Sequence, residues 1–311
     1  LKLSNFSYKL LVICLLWLIG NNSFSQSKLG FFTPSPTLDN SRLVPVLATQ
    51  GALYTGSMVG LDFLWYKNYP HSKFHLFNDN KEWQQMDKLG HILTAYTIAR
   101  LTGAIYQWCG IREASASSYA SALAMAYQTN IEIFDGFSSA WGFSPGDMLA
   151  NTIGASLFLS QQAAWDGQRI TMKISFHPTD YSQYRPDELG SNFTEQCLKD
   201  YNGQTYWLAF AISSFLPKGN KVPGWLCLDF GYGAEGMIGA ITNPIIYNNN
   251  GDLVTFPRYR QLYCSLDVDL TKIQTNSGAL KTFFGLVSFI KIPMPTLELS
   301  RGKLKFHILY F

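Results

Sequence analysis

The feature that most constrains this chain is a change of hydrophobic period near Trp165. Before it, apolar residues recur at helical spacing; after it, they alternate with polar ones. In "WLCLDFGYGAE", Leu226, Leu228, Phe230 and Tyr232 fall on one side, and Cys227, Asp229, Gly231, Gly233 and Glu235 on the other. "LYCSLDVDLT" divides the same way, with Leu262, Cys264, Leu266, Val268 and Leu270 opposite Tyr263, Ser265, Asp267, Asp269 and Thr271. Near residue 310, Leu304, Phe306, Ile308 and Tyr310 oppose Lys303, Lys305 and His307. Such alternation predicts strands with one apolar and one polar face. Ile170–Phe176, Thr205–Phe215 and Phe283–Lys291 read as further strands. Asn249-Asn250-Gly251-Asp252 and Ser300-Arg301-Gly302-Lys303 read as turns. Helices first and strands second predict an α+β fold: an N-terminal four-helix bundle followed by an antiparallel β-sheet or partial β-barrel.

The helical half has four segments. Val44–Tyr66 is long, apolar and, by length alone, able to span a bilayer. After the polar connector "HSKFHLFNDNKEWQQ", the spacing predicts a second helix over Asp87–Trp108, with Gly110 as its C′ residue. The third, Ala114–Phe134, is rich in Ala and Ser, which let helices approach closely, and Gly136 ends it. The fourth opens at Ser144 as N-cap, Pro145 as N1 and Asp147 as N3, a capping-box spacing. The resulting division is 1–25, 26–43, a helical domain over 44–165, and a β domain over 166–311 with a long polar loop near 177–203.

Location follows from the first residues and from composition. "LKLSNFSYKLLVICLLWLIGNNSFSQ" has Lys2 and Lys9, an apolar run Leu10–Ile19, then Ser23-Phe24-Ser25, the pattern of a signal peptide cleaved after Ser25. The run is shorter than the roughly 20 residues of a membrane anchor. Cys14 follows Ile13, not the small residue that a lipoprotein signal needs. Export puts Cys109, Cys197, Cys227 and Cys264 in an oxidising compartment. Their wide spacing suits disulfides or simple burial, and not a metal knuckle. Charged residues are only 14% of the chain, where a soluble domain has about a quarter. A net charge of +3, without a basic run, argues against nucleic acid as a partner. Membrane lipid and other envelope proteins are the expected partners, in the outer membrane or periplasm.

The strands admit two arrangements. In one, their apolar face covers the helices and the protein is periplasmic. In the other it faces lipid, as part of an outer-membrane barrel or half-barrel; the aromatic Phe311 fits this. About six strands is fewer than the eight of the smallest single-chain bacterial barrels, so helices would have to close the edges in lipid.

Three polar pairs sit on otherwise apolar helices. Asp87 and His91 are four apart, Glu132 and Asp135 three apart with Gln128 one turn earlier, and Asp147 and Asn151 four apart with Gly154 on their face. Three helices offering such pairs to one interior would assemble carboxylates, one imidazole and one amide. The plain alternatives are macrodipole carboxylates at Asp87 and Asp147, a turn residue at Asp135, and an ion-pair network completed by Lys88 and Arg100. If the set does chemistry, His91, Asp87 and Glu132 are the candidate catalytic residues. Lys88, Gln128, Asp135, Asp147 and Asn151 form the network or bind substrate. Mixed O and N donors suit a divalent metal, with His91, Asp87, Glu132 and Asp135 as candidate ligands. They suit equally a metal-free acid–base pair in which Asp87 orients His91. There is no GxSxG nucleophile, and Ser138-Ser139 is an ordinary pair before a turn.

"MDKLGHILTAYTIAR", followed by "NIEIFDGFSSAWGFSPGDMLANTIGA", resembles the YfiM-like family of predicted periplasmic lipoproteins of unknown function. The layout D-K-x-x-H, a later glutamate, and D-x-x-x-N-x-x-G is also similar to the VanZ-like helical membrane proteins. Asp87, Lys88, His91, Glu132, Asp135, Asp147, Asn151 and Gly154 occupy the matching positions, over roughly residues 44–165. The resemblance implies an envelope location and no particular reaction. The function expected is that of an exported envelope protein, structural or lipid-handling. The alternative is a hydrolase or transferase acting on a lipid or glycan-lipid through the Asp/His/Glu cluster.

Overall fold

The computed structural model describes residues 32–66, 69–247 and 252–310. The expected signal peptide with Cys14, the turn at Asn249-Asn250-Gly251 and the terminal Phe311 lie outside the described residues.

Four long helices come first: α1 (Asn40–Leu61), α2 (Met86–Trp108), α3 (Glu113–Gly136) and α4 (Pro145–Trp165). The first starts earlier than its apolar pattern because Asp39 caps it, accepting from the Ser41 amide at 2.9 Å. It stops at Leu61, and Asp62–Tyr66 winds on as a π-turn. None of its residues is fully buried. It lies along the others through polar contacts such as Tyr106 to Gln50, 2.8 Å. The bilayer-spanning reading of this segment does not hold: among the described residues, no helix is long and apolar enough to cross a membrane.

The other three helices pack through small side chains, with Ala99, Ala120 and Ala124 fully buried beside Leu93, Tyr96 and Phe158. The closest approach is at Gly154, where a Cβ would stand 2.3 Å from the Ile92 carbonyl oxygen. Only glycine lets α4 come this near α2. Gly110 terminates α2 as the C′ residue, at φ +86°, against the Thr37 backbone.

The sheet has six antiparallel strands in the order β1 (Ile170–Phe176), β2 (Gln204–Ala211), β3 (Leu226–Glu235), β6 (Tyr259–Val268), β7 (Met294–Ser300) and β8 (Lys303–Tyr310). A separate two-stranded ribbon pairs β4 (Ile246–Tyr247) with β5 (Leu253–Val254). The sheet does not close. The free edge of β1 instead takes the segment before β7, Ile174 donating to Phe289 O at 2.8 Å and Lys291 donating to Ile174 O at 2.9 Å. Arg301 and Gly302, both at positive φ, make the β7–β8 turn.

Two strand assignments change. Phe283–Lys291 is largely a helix, α7 (Gly278–Val287), capped by Ser277. Its Leu280, Phe283 and Leu286 recur every three residues, a helical spacing hidden by a β-prone composition. In its place β7 forms across Pro295, with a register shift between Met294 and Thr296 that accommodates the proline. The 177–203 loop carries two short helices, α5 (Pro186–Leu189) and α6 (Phe193–Lys199). Cys109, Cys197, Cys227 and Cys264 are all free thiols, so the disulfide reading does not hold; Cys109 and Cys227 are buried and the other two partly so.

The two faces of the sheet are the reverse of a soluble sheet. The register places Leu208 beside Phe230, Leu228 beside Leu266, Leu262 beside Leu299, and Leu299 beside Leu304. Of these, Phe230, Leu262, Leu299 and Leu304 are about half exposed or more. One end of this face, with Met172 and Tyr206, packs on α2. The opposite face is polar and buried. Lys173 is 1% exposed and Asp267 fully covered, and their ion pair is 2.5 Å long. Glu298, also buried, accepts from Lys305 at 2.9 Å and lies 2.7 Å from His307 Nε2.

Candidate functional site

α2, α3 and α4 bring their polar residues to one place beneath the start of α2. The backbone there is unusual: Trp83, Gln84 and Gln85 all have positive φ. A left-handed non-glycine residue costs about 1–2 kcal/mol, so the turn must be held from outside. The sheet half holds it. Trp83 N donates to Ala240 O at 2.7 Å, Tyr232 Oη donates to Gln84 O at 2.7 Å, and Arg260 reaches the Gln85 side chain at 2.8 Å. This turn aims the first residues of α2 inward.

Lys88 is the central cation. Its Nζ lies 2.5 Å from Asp79 Oδ1, 2.7 Å from Asp147 Oδ1 and 3.5 Å from Asp87 Oδ2. Its ammonium stays charged: these carboxylates outweigh burial and raise its pKa to about 12. Against the cost of burial, contacts with Asp147, Lys88 and Ser144 hold Asp79 below the usual range. Asp147 moves the other way, raised well above it by burial and by the nearby Asp87 charge.

His91 stands next to this group. Its Nδ1 lies 3.0 Å from Asn151 Oδ1. Gln128 directs its amide NH2 to the same Asn151 oxygen at 2.7 Å. Gln128 Nε2 also lies 3.3 Å from Nδ1, but the Asn151 oxygen is closer and can only accept, which favours the tautomer with the proton on Nδ1. Nε2 then carries a lone pair, and its neighbours are Asp87 Oδ1 at 3.8 Å and Asp147 Oδ1 at 3.9 Å. Asn151, therefore, orients the ring. The expected Asp87–His91 orienting bond is too long, and Asp87 Oδ1 accepts instead from Tyr201 Oη at 2.8 Å.

Glu132 is 1% exposed. Its Oε2 accepts the Ser144 amide at 3.1 Å, and Oε1 lies 3.7 Å from His91 Nδ1. Burial raises its pKa to about 8. The Ser144 cap is as predicted, its Oγ accepting the Asp147 amide at 3.0 Å. The reciprocal half of the capping box is not made by Asp147, whose carboxylate turns to Lys88; Glu132 of another helix takes the Ser144 amide.

Asp87, His91 and Asp147 present one ligand atom each within 4.8 Å of one another. Glu132 and Asp135, expected as candidate ligands, do not join that set. Glu132 meets the other ring nitrogen of His91. Asp135 accepts from Tyr66 Oη at 2.8 Å, and burial raises its pKa to about 7. Tyr66 also lines a cavity of about 310 Å³ with Met58, Val59, Phe134 and Phe137. Arg100 leaves the network altogether, donating to Gly285 O of α7 at 3.2 Å.

Asp79 and Tyr201 belong to the cluster and were not singled out from sequence. Asp79 lies in the polar connector, where an acid carries no periodic signal. Tyr201 follows α6, more than 100 residues from Asp87, and no local pattern marks it. Several buried polar atoms have no hydrogen-bond partner: Gln128 Oε1, Glu132 Oε1 and Asn151 Nδ2. Buried polar groups are nearly always bonded, so a group of three around one imidazole is unusual.

Residues 75–161 match the family model described as "Predicted periplasmic lipoprotein (DUF2279)". That span contains every member of the cluster except Tyr201. No curated protein and no solved structure matches the chain.

Proposed function

We propose that this is a membrane-associated cell-envelope protein, its sheet seated with the apolar face in lipid hydrocarbon and its helical half carrying the polar cluster. One observation carries the reading: the inverted sheet. In water, a sheet that buried Lys173 and Asp267 while exposing Phe230, Leu262, Leu299 and Leu304 would lose hydrophobic stabilisation twice over. In lipid the same arrangement is the favourable one. β3 and β6 have ten residues each, the length of a membrane strand. The amphipathic α7, with Leu280, Phe283 and Leu286 exposed, extends the apolar surface. The family description supports a periplasmic setting. The role is structural or lipid-handling at the outer membrane.

The test is flotation of the purified full chain with phospholipid vesicles. The wild type is expected to float and to need detergent for solubility in their absence. A Leu262→Asp/Leu299→Asp variant is expected to lose vesicle binding, since the change places two charges in the apolar face. A wild-type protein that stays soluble and unbound, or covers this face by forming a soluble dimer, defeats the proposal.

A second reading is an enzyme acting on a lipid or glycan-lipid, favoured by the unpartnered atoms around His91. Asp87, 26% exposed, opens the cluster to the surface. His91 would act as the base and Glu132 would hold a proton. Loss of turnover of an envelope lipid extract in a folded His91→Gln variant tests it; unchanged lipid profiles sink it.

A further inference from the structure

We propose that Asp87, His91 and Asp147 bind a divalent first-row transition ion, with Asn151 and Glu132 as positioning residues. This does not depend on the sheet lying in lipid.

Asn151 Oδ1, 3.0 Å from Nδ1, takes the ring proton and leaves Nε2 as a lone-pair donor. Among the described residues, Nε2 makes no hydrogen bond. Its neighbours are Asp87 Oδ1 at 3.8 Å and Asp147 Oδ1 at 3.9 Å, both beyond hydrogen-bond length. These three atoms converge within 4.8 Å of one another, and a bound ion shares Asp87 Oδ1 with Tyr201 Oη and Asp147 Oδ1 with Lys88 Nζ. One imidazole and two carboxylates suit ions from manganese to zinc.

The second observation is independent of those three residues. Glu132 Oε1, on a side chain 1% exposed, has no hydrogen-bond partner and is aimed at His91 Nδ1 from 3.7 Å. A metal-bound histidine almost always directs its other nitrogen to a carbonyl or carboxylate, which fixes the tautomer and strengthens the donor. Asn151 and Glu132 supply both kinds of partner on the correct side of the ring.

Asp79, Asp87, Asp147 and Glu132 surround one lysine and one histidine, and Lys88 is already engaged with Asp79 and Asp147. Asp87, partly exposed, provides the way in, and Tyr201 Oη holds its carboxylate in place.

The experiment is calorimetric titration of the purified, chelator-treated full chain with Zn²⁺ and with Mn²⁺. One ion per chain is expected. His91→Gln and Asp147→Asn should each weaken binding at least tenfold, and Asn151→Ala about 10–100-fold. Asp180→Asn, at an exposed position outside the cluster, should leave it unchanged. Pulsed EPR of Mn²⁺ on the wild type should show coupling to an imidazole nitrogen, which keeps the test decisive if a variant fails to fold. Absence of saturable binding below millimolar ion, equal affinity in His91→Gln, or no nitrogen coupling overturns the proposal.

Discussion

This protein buries charge in two regions, and they differ in how the charge is balanced. In the sheet, Lys173 and Lys291 stand near Asp267 and Asp229, two cations for two acids. Backbone groups complete three of them: Lys173 donates to Val268 O at 2.9 Å, Lys291 donates to Leu266 O at 3.0 Å, and Asp267 accepts from Ile292 N at 3.1 Å, while the two Asp229 carboxylate oxygens have no hydrogen-bond partner. In the helical bundle, four carboxylates meet one lysine and one imidazole, with three polar atoms of Gln128, Glu132 and Asn151 unpartnered. The sheet cluster is what an interior made of polar side chains requires for stability. The helical cluster has more acids than cations and brings one imidazole and two carboxylates within 4.8 Å of one another.

The largest expected effect sharpens the first half of that contrast. Lys173→Met strands Asp267 in a fully buried position and should cost roughly 3–5 kcal/mol in denaturant unfolding of the detergent-solubilised protein. Lys173→Met with Asp267→Leu should recover most of that loss. A single variant as stable as wild type breaks the idea of a balanced structural pair.

The pH response tests the other region. Glu132 and Asp135 have folded-state pKa values raised from 4.5 and 3.8 to about 8 and about 7. A raised carboxylate favours the folded state fully below its unfolded value, and that contribution is lost as pH rises through the folded value. Stability should therefore fall by a few kcal/mol between pH 5 and pH 9, and Glu132→Gln should flatten the fall. An unfolding midpoint that rises over the same range contradicts the assignment.

Gly154→Ala should cost about 1–3 kcal/mol, because the added methyl meets the Ile92 carbonyl and forces α2 from α4. The same shift should disturb the Asn151–His91 contact, visible as a change in the imidazole NMR shifts. Ser144→Ala removes the α4 cap from the Asp147 amide and should cost about 1 kcal/mol by thermal unfolding. Equal or greater stability in either variant removes the corresponding close approach or cap.

Much of the architecture was legible in the residues. Helical spacing located α2, α3 and α4 to within a residue or two, and Ser144-Pro145 marked the start of α4, because caps and periodicity are local signals. Alternation located β3, β6 and β8, and the candidate segments Ile170–Phe176 and Thr205–Phe215 became β1 and β2, the second stopping at Ala211. It missed β7, whose proline weakens the strand signal, and misread α7, whose Phe and Val content imitates a strand. Of the site, the spacings of three and four named Asp87, His91, Glu132, Asp147 and Asn151. They also named Asp135, which turns to Tyr66, since spacing gives a face and not a partner; Arg100, expected as a network cation, turns to Gly285.

By itself the sequence determined that helices precede strands, that each strand has one apolar and one polar face, and that acids and one histidine share helix faces. Periodicity dictates those properties, because a side chain's direction along a helix or strand is set by backbone geometry. Only the tertiary structure decided which face of the sheet is buried. The pattern is identical for a sheet with its leucines inside and one with its lysine and aspartates inside. Only the packing decided, too, that Asp79 and Tyr201 complete the cluster and that Asn151 holds His91. Those contacts join segments far apart in the chain, and no local period records them.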